Sequence, residues 1–381
     1  MPKLNALIIT IILLAIAGIA GKVVYDEFSN PQYRRVVIEN NFNSEDAVSD
    51  TQQVIADTDT EIRKIETETK SRKILFVGDL MLDREVENLI KKNSVLYPFQ
   101  KINKFTEKYD FVFGNLEGPI VENPPSFSQK SLTFAFSKNV IEGLAFGNFD
   151  VVSLANNHTL NMKEKGLAET RKFLAEGNIK AVGDPLKCSE NFLYQKNDLV
   201  FLAFNKTYAK SCADEEIVKT IKLISSASPE NFIIVNIHWG DEYQLTSSPA
   251  QQKLARKIID AGADLIIGHH PHVVQEIGIY KNKLVFYSLG NFIFDQYFSK
   301  NTQEGLAVEV EIYPSQKVPR DIFSSKKETV QRKLIFRLFP LESKLSQPIL
   351  MSSEDAERFL EKLAERSDQN LFDKIKSGII K

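Results

Sequence analysis

The sequence predicts a mixed α and β protein in which buried strands alternate with helices, preceded by an apolar N-terminal segment. From Lys73 onward, short apolar runs alternate with stretches of helical periodicity. The chain has 381 residues, of which 43% are hydrophobic and 26% charged, so it can bury one large core or two smaller ones. A small fold held together by disulfides and a wholly disordered chain are therefore excluded.

Residues 1–24 are predicted to be a transmembrane anchor or a signal segment. Residues 4–21 carry no charge and lie between Lys3 and Lys22, and this length is the lower limit for a helix that spans a bilayer. A cleaved signal peptide is the alternative, because Ala15-Ile16-Ala17 resembles a cleavage site, and a buried structural helix is a third reading. Lys3 favours an amino terminus inside the cell. The remaining chain would then face the extracytoplasmic side of the cell membrane.

Residues 25–72 are predicted to form an acidic polar tether. The stretch 43–62 has six acidic residues, no basic residue and no glycine. Such a segment buries too little apolar surface to offset the entropy lost on ordering. The globular domain is therefore predicted to span residues 73–381.

The globular part is predicted to contain ten strands and five helices. The strands are short apolar runs at residues 74–77, 111–113, 132–136, 151–154, 199–204, 232–237, 264–267, 284–289, 306–312 and 334–338. The helices have apolar residues three or four positions apart and cover residues 84–92, 138–146, 163–176, 249–261 and 353–366. Residues 314–332 are polar and are predicted to be a surface loop.

The composition excludes several classes of protein. The 48 Lys and Arg nearly balance the 50 Asp and Glu, which argues against a broad nucleic-acid-binding surface. Cys188 and Cys212 lack the spacing of a zinc or redox motif, so they are either buried thiols or one disulfide. The chain has no nucleophile elbow, P-loop or dinucleotide fingerprint, so a serine hydrolase, an NTPase or a dehydrogenase is poorly supported.

All five histidines follow closely on predicted strands: His158, His238, His269, His270 and His272. Ligands of such sheets gather at the carboxyl ends of strands, which makes these positions site candidates. In an extended segment, residues two apart point the same way, so His270 and His272 are predicted to face one ion while His269 faces elsewhere. Oxygens of Asp79, Glu117 and Asn157 would complete a mixed sphere for Mn, Fe or Zn. An ordinary loop residue is the alternative for any single histidine.

His238 is a candidate third imidazole ligand, because it directly follows the apolar strand at 232–237. The alternative is a structural histidine that packs on Trp239. Glu242 lies in the same loop and is either a site residue or a solvated acid.

Six motifs in order resemble the CapA-type capsule synthesis proteins, the poly-γ-glutamate biosynthesis family. They are FVGDLMLDR at 76–84, GNLEGP at 114–119, LANNH at 154–158, HWG at 238–240, GHHPHVVQ at 268–275 and YSLGNF at 287–292. The resemblance implies a fold similar to the calcineurin-like metallophosphatases, with two sheets packed face to face and flanked by helices.

The resemblance also implies roles for individual residues. The metal ligands that it implies are Asp79, Asn115, Asn157, His238, His270 and His272. His158 would act as general acid, paired with a carboxylate such as Asp79 or Glu117. The positions predicted to contact substrate are Arg84, Asn156, Trp239, Glu242 and Asn291. Two departures from the metallophosphatase pattern stand out, since Met81 replaces the first histidine and Asn115 replaces the carboxylate that bridges two metals.

The implied function is capsule or poly-γ-glutamate synthesis by a membrane-anchored protein that carries one or two divalent ions. The expected reaction is hydrolysis or transfer at a phosphoester or at an amide of a polyglutamate-like chain. The alternative is a factor that binds or exports the polymer without turnover. Expected partners are the anionic polymer or phosphoester, the cytoplasmic membrane, and other membrane-bound polymer synthesis proteins.

The topology can be tested with reporters fused to the C-terminus. A reporter that is active only outside the cytoplasm is expected to be active, because the span places the C-terminal domain on that side. Activity of a reporter that works only in the cytoplasm would instead favour a cytosolic domain whose apolar segment is a peripheral anchor.

Overall fold

The structure is a computed structural model that describes residues 22–26, 35–39, 71–126, 131–188, 193–208, 211–314, 316–317 and 330–381. The chain divides into two units, Met1–Thr69 and Lys70–Lys381. In the first unit, strands β1 (Lys22–Asp26) and β2 (Arg35–Glu39) pair antiparallel. Residues 1–21 of the anchor or signal segment predicted at 1–24 lie outside the described residues, as does most of the predicted tether. Among the helices that the structure describes, none has the length and apolar character needed to cross a membrane.

The second unit is built from two sheets with helices on their outer faces. Its strands are β3 (Arg72–Leu80), β4 (Phe111–Leu116), β5 (Ile120–Val121), β6 (Phe136–Ser137), β7 (Val151–Ser153), β8 (Lys180–Val182), β9 (Tyr194–Lys196), β10 (Leu199–Asn205), β11 (Phe232–His238), β12 (Leu265–His269), β13 (Ile277–Tyr280), β14 (Lys283–Phe286), β15 (Asn291–Ile293), β16 (Glu304–Ile312), β17 (Gln316–Lys317), β18 (Val330–Gln331), β19 (Leu334–Lys344), β20 (Gln347–Leu350) and β21 (Ile379–Ile380). Its α-helices are α1 (Arg84–Lys92), α2 (Asn103–Thr106), α3 (Val140–Phe146), α4 (Lys163–Glu176), α5 (Asp214–Ala227), α6 (Pro249–Asp260), α7 (Lys300–Gln303), α8 (Ser353–Arg366) and α9 (Phe372–Lys376).

The larger sheet has the strand order β20-β19-β16-β3-β4-β7-β8, with β15 beside β3 and β21 beside β19. Strands β3, β4, β7 and β8 run parallel, and β16, β19 and β20 continue the sheet antiparallel. The smaller sheet has the order β13-β14-β12-β11-β10-β9, with a parallel centre of β10, β11, β12 and β14. Each parallel block therefore carries several strand ends at one edge.

The core between the sheets is rich in aromatic side chains. Phe76 of β3, Phe113 of β4 and Phe201 of β10 are fully buried, and the rings of Phe113 and Phe201 stack with their centroids 5.8 Å apart. Successive residues of β3 alternate between this core and the outer face, where Leu75 and Val77 pack in a second cluster beneath helices α1, α3 and α4. A strand buried on both faces reads as a continuous apolar run, which is how β3 appears in the sequence.

Helices α1, α4 and α8 have the bounds that the sequence predicts, and α6 ends one residue earlier. Helix α5 is missing from the prediction, although Ile217, Ile221 and Ile224 follow a helical spacing and pack on the smaller sheet. The strand predicted at 132–136 is mostly wrong. The N–H groups of Phe134 and Ala135 are bound by side chains of Asn161 and Asp83, so they do not pair with a strand.

Cys188 and Cys212 form a disulfide, which settles one alternative that the sequence leaves open. The bridge joins the segment after β8 to the residues that precede α5. Thr220 of α5 donates a hydrogen bond of 2.6 Å to the carbonyl of Cys188. The disulfide just before helix α5 and the hydrogen bond of Thr220 therefore both link this helix to the segment after β8.

Asp198 links the two sheets. It lies in the turn before β10 and pairs with Arg72 of β3 at 2.6 Å and with Arg332, which precedes β19, at 2.7 Å. Burial by itself would raise the pKa of Asp198, but the two guanidinium groups hold that pKa below its ordinary value.

We expect Asp198→Asn to lower the free energy of unfolding by about 1 kcal/mol at neutral pH, because the pairs are partly exposed. Since the pKa of Asp198 is lower in the folded state, its stabilisation is present above the unfolded pKa of about 4 and is lost as the pH falls through the folded pKa. Urea unfolding at neutral and acidic pH measures the difference. The exposed pair of Asp260 with Lys281 provides a control, Asp260→Asn, with no measurable change expected; an equal loss in both variants would contradict the assignment.

Candidate metal centre

The carboxyl ends of β3, β4, β7, β11 and β12 bring the predicted site residues together. Strands β3, β4 and β7 belong to the larger sheet, and β11 and β12 to the smaller one. Strand ends of the two sheets therefore meet at a buried polar cluster, as expected for the carboxyl ends of parallel strands.

Asp79 lies at the middle of the cluster and is fully buried. Its Oδ1 accepts a hydrogen bond of 2.9 Å from Asn115 Nδ2 and lies 3.3 Å from His269 Nδ1. Its Oδ2 lies 3.4 Å from His272 Nδ1 and accepts a hydrogen bond of 3.3 Å from the backbone N–H of His270. Burial acts to raise the pKa of Asp79, but contacts with His269 and His272 hold it well below its ordinary value. Asp79 is therefore an anion that contacts residues of both sheets.

Asn115 connects three site residues through its amide. Its Nδ2 faces Asp79 and lies 3.2 Å from His238 Nδ1. Its Oδ1 accepts a hydrogen bond of 3.1 Å from Asn156 Nδ2. The amide nitrogen thus faces the cluster, and the oxygen that would bind a metal is turned towards Asn156.

Glu117 is the most exceptional residue of the cluster. It is fully buried, and neither carboxylate oxygen has a hydrogen-bond partner among the described residues. Its Oε1 lies 3.6 Å from His272 Nε2 and 3.8 Å from His158 Nε2. Burial raises the pKa of Glu117 well above its ordinary value, with a smaller opposing effect from His272. Such a carboxylate is costly unless a cation or a donor binds it.

His238 ends β11 and is held on both ring nitrogens. Its Nε2 lies 2.8 Å from Asn157 Oδ1, and its Nδ1 lies 3.2 Å from Asn115 Nδ2. Burial lowers the pKa of His238 well below its ordinary value, so the ring is neutral. Tyr208 donates a hydrogen bond to the backbone carbonyl of Asn157 and fixes that loop.

His270 and His272 face the site as predicted, but through an unpredicted backbone. Their φ angles are 98° and 57°, in the left-handed region. Burial lowers the pKa of His270 to about 4. Burial also acts to lower the pKa of His272, but the negative charges of Glu117 and Asp79 raise it to about 9. His272 Nδ1 lies 3.0 Å from Asn291 Oδ1, which sets the orientation of the ring.

His269 faces the cluster, and the prediction that it points elsewhere is wrong. Alternation holds only for extended backbone, and the left-handed angles at His270 and His272 end the strand there. All three imidazoles consequently converge around Asp79. Both ring nitrogens of His269 are buried and lack a hydrogen-bond partner among the described residues.

His158 lies at the edge of the cluster, with 14% of its side chain exposed. Its ring packs against that of Phe134 with the centroids 4.2 Å apart and the planes tilted by 32°, and its Nδ1 lies 3.1 Å from Asn161 Oδ1. Asn161 cannot donate from that oxygen, so Nδ1 carries the proton and Nε2 faces Glu117 with a lone pair. Burial lowers the pKa of His158 to about 4.

Three residues predicted to contact substrate have structural positions instead. Trp239 is buried and donates from its indole N–H to the carbonyl of Tyr287 at 2.9 Å. Both ends of the buried Asn156 amide are hydrogen-bonded within the protein, to Asn115, Thr159 and nearby backbone groups. Asn291 is likewise buried, and it orients His272.

Arg84 and Glu242, also predicted to contact substrate, lie at the edge of the site. The Arg84 guanidinium pairs with Asp295 and lies over the ring of Phe134, 5.0 Å from its centroid. Glu242 is exposed, and its carboxylate is near His270 and His272. Of the three acids at the site, Asp79, Glu117 and Glu242, Glu242 is therefore the most accessible from solvent.

A family model described as "Bacterial capsule synthesis protein PGA_cap" matches residues 73–296. The chain belongs to this family. Capsule biosynthesis protein CapA of Bacillus anthracis is 31% identical over 261 residues, which are 63% of this chain and 64% of that protein. PGA biosynthesis protein CapA of Bacillus subtilis is 32% identical over 291 residues, 69% of this chain and 76% of that protein.

Among solved structures, purple acid phosphatase PPD1 from yellow lupin seeds is 11% identical, with a TM-score of 0.34. The match covers 75% of this chain and 55% of that chain. A TM-score this low defines neither the fold nor the function of the PGA_cap protein.

The donor set of this PGA_cap protein fits a divalent cation. Two groups of three side chains each place their ligand atoms within 4.8 Å of one another: Asp79, Glu117 and His238 in one, Glu242, His270 and His272 in the other. Buried atoms without partners among the described residues include both Glu117 oxygens and the Nδ1 of His270. Carboxylate and imidazole donors together suit Mn, Fe or Zn. Two adjacent groups accommodate one or two ions.

Sequence reasoning assigns no site role to three residues that shape the site, Asn161, Tyr208 and Tyr243, and it gives His269 the wrong direction. Tyr243 is 42% exposed, and its ring centroid lies 6.2 Å from that of His272. Asn161 lies three residues after His158, where its oxygen can reach the ring. Tyr208 carries no local signal, because only the folded chain brings it to Asn157.

The substitution Glu117→Gln tests whether the carboxylate of Glu117 is a ligand of a cation. The chelated variant is expected to unfold at a temperature no lower than the chelated wild type, because it replaces a buried carboxyl group whose desolvation no hydrogen bond among the described residues offsets. Added Mn²⁺ should raise the unfolding temperature of the wild type more than that of the variant. Calorimetry measures both, with the exposed Glu122→Gln as control. Equal stabilisation of wild type and Glu117→Gln by Mn²⁺ would contradict a metal role for Glu117.

Proposed function

We propose that this protein processes or assembles an anionic cell-surface polymer through a metal-dependent hydrolysis or transfer reaction. The observation that carries the proposal is the buried Glu117 carboxylate, which has no hydrogen-bond partner among the described residues and faces His272 and His158. A protein retains such a group where a ligand offsets its desolvation.

Family membership supports the polymer. The two Bacillus relatives are named for capsule biosynthesis and for PGA biosynthesis. The bond that this chain acts on is, in our proposal, a phosphoester or an amide of a polyglutamate-like chain. The two packed sheets and the strand-end cluster agree with a metallophosphatase-like arrangement.

The metal would be held by Asp79, Glu117 and His238, with Glu242, His270 and His272 for a second ion. When bound, a divalent ion supplies Lewis-acid polarisation of the substrate oxygen and neutralises negative charge. Asn115 contacts the ring of His238 and Asn291 that of His272, so the two amides orient these imidazoles.

His158 would move a proton at Nε2. Its Nδ1 is bound to Asn161, so Nε2 is the atom directed into the cluster. Burial keeps the ring neutral at pH 7, and the negative charge of a bound phosphoester would raise its pKa towards the range of a general acid.

Polymer binding without turnover is the second candidate. Met81 stands in place of a histidine ligand, and its sulfur accepts a hydrogen bond of 3.1 Å from the Asp83 N–H. Asn115 turns its amide nitrogen to Asp79, so it supplies no bridging charge. Both features weaken a dinuclear site.

The extracytoplasmic location remains a proposal as well. The uncharged run at residues 4–21 would anchor the chain in the membrane, and the disulfide between Cys188 and Cys212 is typical of an oxidising compartment. Other membrane-bound polymer synthesis proteins would then be neighbours of the anchored chain.

His158→Ala separates turnover from metal binding. The variant should keep the metal content of the wild type, because His158 belongs to neither group of ligands. Its turnover of a generic phosphodiester should fall by about 10²- to 10⁴-fold, the usual contribution of a proton-transfer group. Asn161→Ala should cause a smaller loss, since it removes only the residue that orients the ring. Unchanged turnover in His158→Ala would contradict the role, and a metal-loaded wild type without turnover on any phosphodiester or polyglutamate would favour the binding candidate.

A further inference from the structure

A groove with a volume of 210 Å³ lies along helix α8, and part of its lining is close in sequence to the candidate metal centre. One wall includes Leu245, three residues after Glu242, and Val274, two residues after His272. The other wall is a face of α8, with the start of α7 at one end. The groove and the site therefore share two chain segments.

Positive charge predominates in this groove. Its lining includes four cationic side chains, Lys300, Arg358, Lys362 and Arg366, against two acids. The acids are already paired, Glu304 with Lys300 at 3.3 Å and Asp355 with Arg358 at 2.5 Å. Arg358 also pairs with Glu354, which lies outside the lining, at 2.9 Å. The groove thus has a surplus of two positive charges.

The surplus lies on Lys362 and Arg366, which make no ion pair within the described residues. The guanidinium of Arg366 donates instead to two backbone carbonyls, those of Lys362 at 3.1 Å and Val274 at 3.0 Å. Its Nε is buried and has no partner in the part of the chain that the structure describes. Burial acts to lower the pKa of Arg366, so an anion in the groove would be stabilising.

The three cations of α8 form a regular row. Arg358, Lys362 and Arg366 are four residues apart, which places them on one side of the helix at intervals of about 6 Å. A row of evenly spaced charges complements a chain with repeated negative groups better than it complements one small anion. Between the charges, the buried Phe359 and the 39% exposed Leu245 provide apolar surface for the methylene part of such a chain.

We propose that this groove is a binding site for a stretch of flexible polyanion outside the reaction centre, with its cationic row on α8 pairing with successive negative groups. The identity of that polyanion as a polycarboxylate rests on the proposed function, whereas the groove itself rests on its charges and shape. Because Arg366 binds the carbonyl of Val274, beside the histidine segment, a chain held in the groove would lead towards Glu242 and His272.

The test is a fluorescence-anisotropy titration of the full-length protein with labelled poly-γ-glutamate, at low and at high salt. The double charge reversal Arg358→Glu/Lys362→Glu should weaken binding roughly tenfold at low salt, because two exposed attractions become repulsions. The control is Lys165→Glu/Lys172→Glu on α4, which makes the same change in net charge at two exposed lysines that also have acidic partners. Matched thermal unfolding temperatures and metal contents establish that the variants are folded.

A selective loss of affinity in the α8 variant supports the groove, and equal losses in both double variants overturn it. Competition by polyphosphate would show that phosphate chains use the same site, which supports a general polyanion groove; competition by neutral dextran would overturn the charge-based assignment. If the α8 variant binds poly-γ-glutamate like the wild type, the groove is wrong while metal binding and turnover remain to be judged by their own assays. If the wild type binds no polyanion, the groove fails, and the phosphodiester assay decides the proposed reaction separately.

Discussion

Asp79 is a buried carboxylate at the point where the ends of both sheets meet, and the geometry of the site depends on it. It belongs to β3 of the larger sheet, yet its contacts with His269, His270 and His272 come from the smaller sheet. Glycines allow close backbone packing on each side of the site. A Cβ on Gly78 of β3 would lie 1.9 Å from the carbonyl oxygen of Gly290, just before β15, and one on Gly268 of β12 would lie 1.9 Å from that of Tyr287, just after β14. The segments that carry Asp79 and His269 can therefore pack tightly against their neighbours in their own sheets.

The cluster around Asp79 is electrostatically incomplete by itself. Asp79 is matched by histidines and by Asn115, whereas Glu117 has only imidazoles at 3.6 and 3.8 Å. Buried polar atoms without partners are rare in folded proteins, and their concentration here points to a ligand with positive charge. The groove along α8 has the opposite excess, since two of its cations lack carboxylate partners within the described residues. The proposed metal centre and the proposed polyanion groove would together suit a protein that acts on a negatively charged chain.

Much of this arrangement could be predicted from the sequence, because apolar strands followed by polar residues indicate the edge of the sheet at which a site forms. This pattern correctly predicts that five site residues lie at strand ends: Asp79, Glu117, His238, His270 and His272. The direction of His269 could not be predicted, since the left-handed backbone at His270 and His272 overrides the alternation of a strand. Trp239 and Asn156 lie within motifs of the site, and the sequence predicts that they contact substrate. Both side chains are instead buried and hydrogen-bonded within the protein, which only the packed fold reveals. Tyr208 reaches Asn157 across 51 residues, so no local pattern could have found it.

We infer that the strand-end cluster binds a divalent cation. Elemental analysis of the purified full-length protein, compared with His238→Ala and His270→Ala variants of matched thermal stability, tests it most directly. The account predicts Mn, Fe or Zn at one or two equivalents in the wild type and a loss in both variants, because each removes a ligand from a different group of three. A wild type that stays free of metal after exposure to excess ions, or variants that retain the full content, would contradict the account.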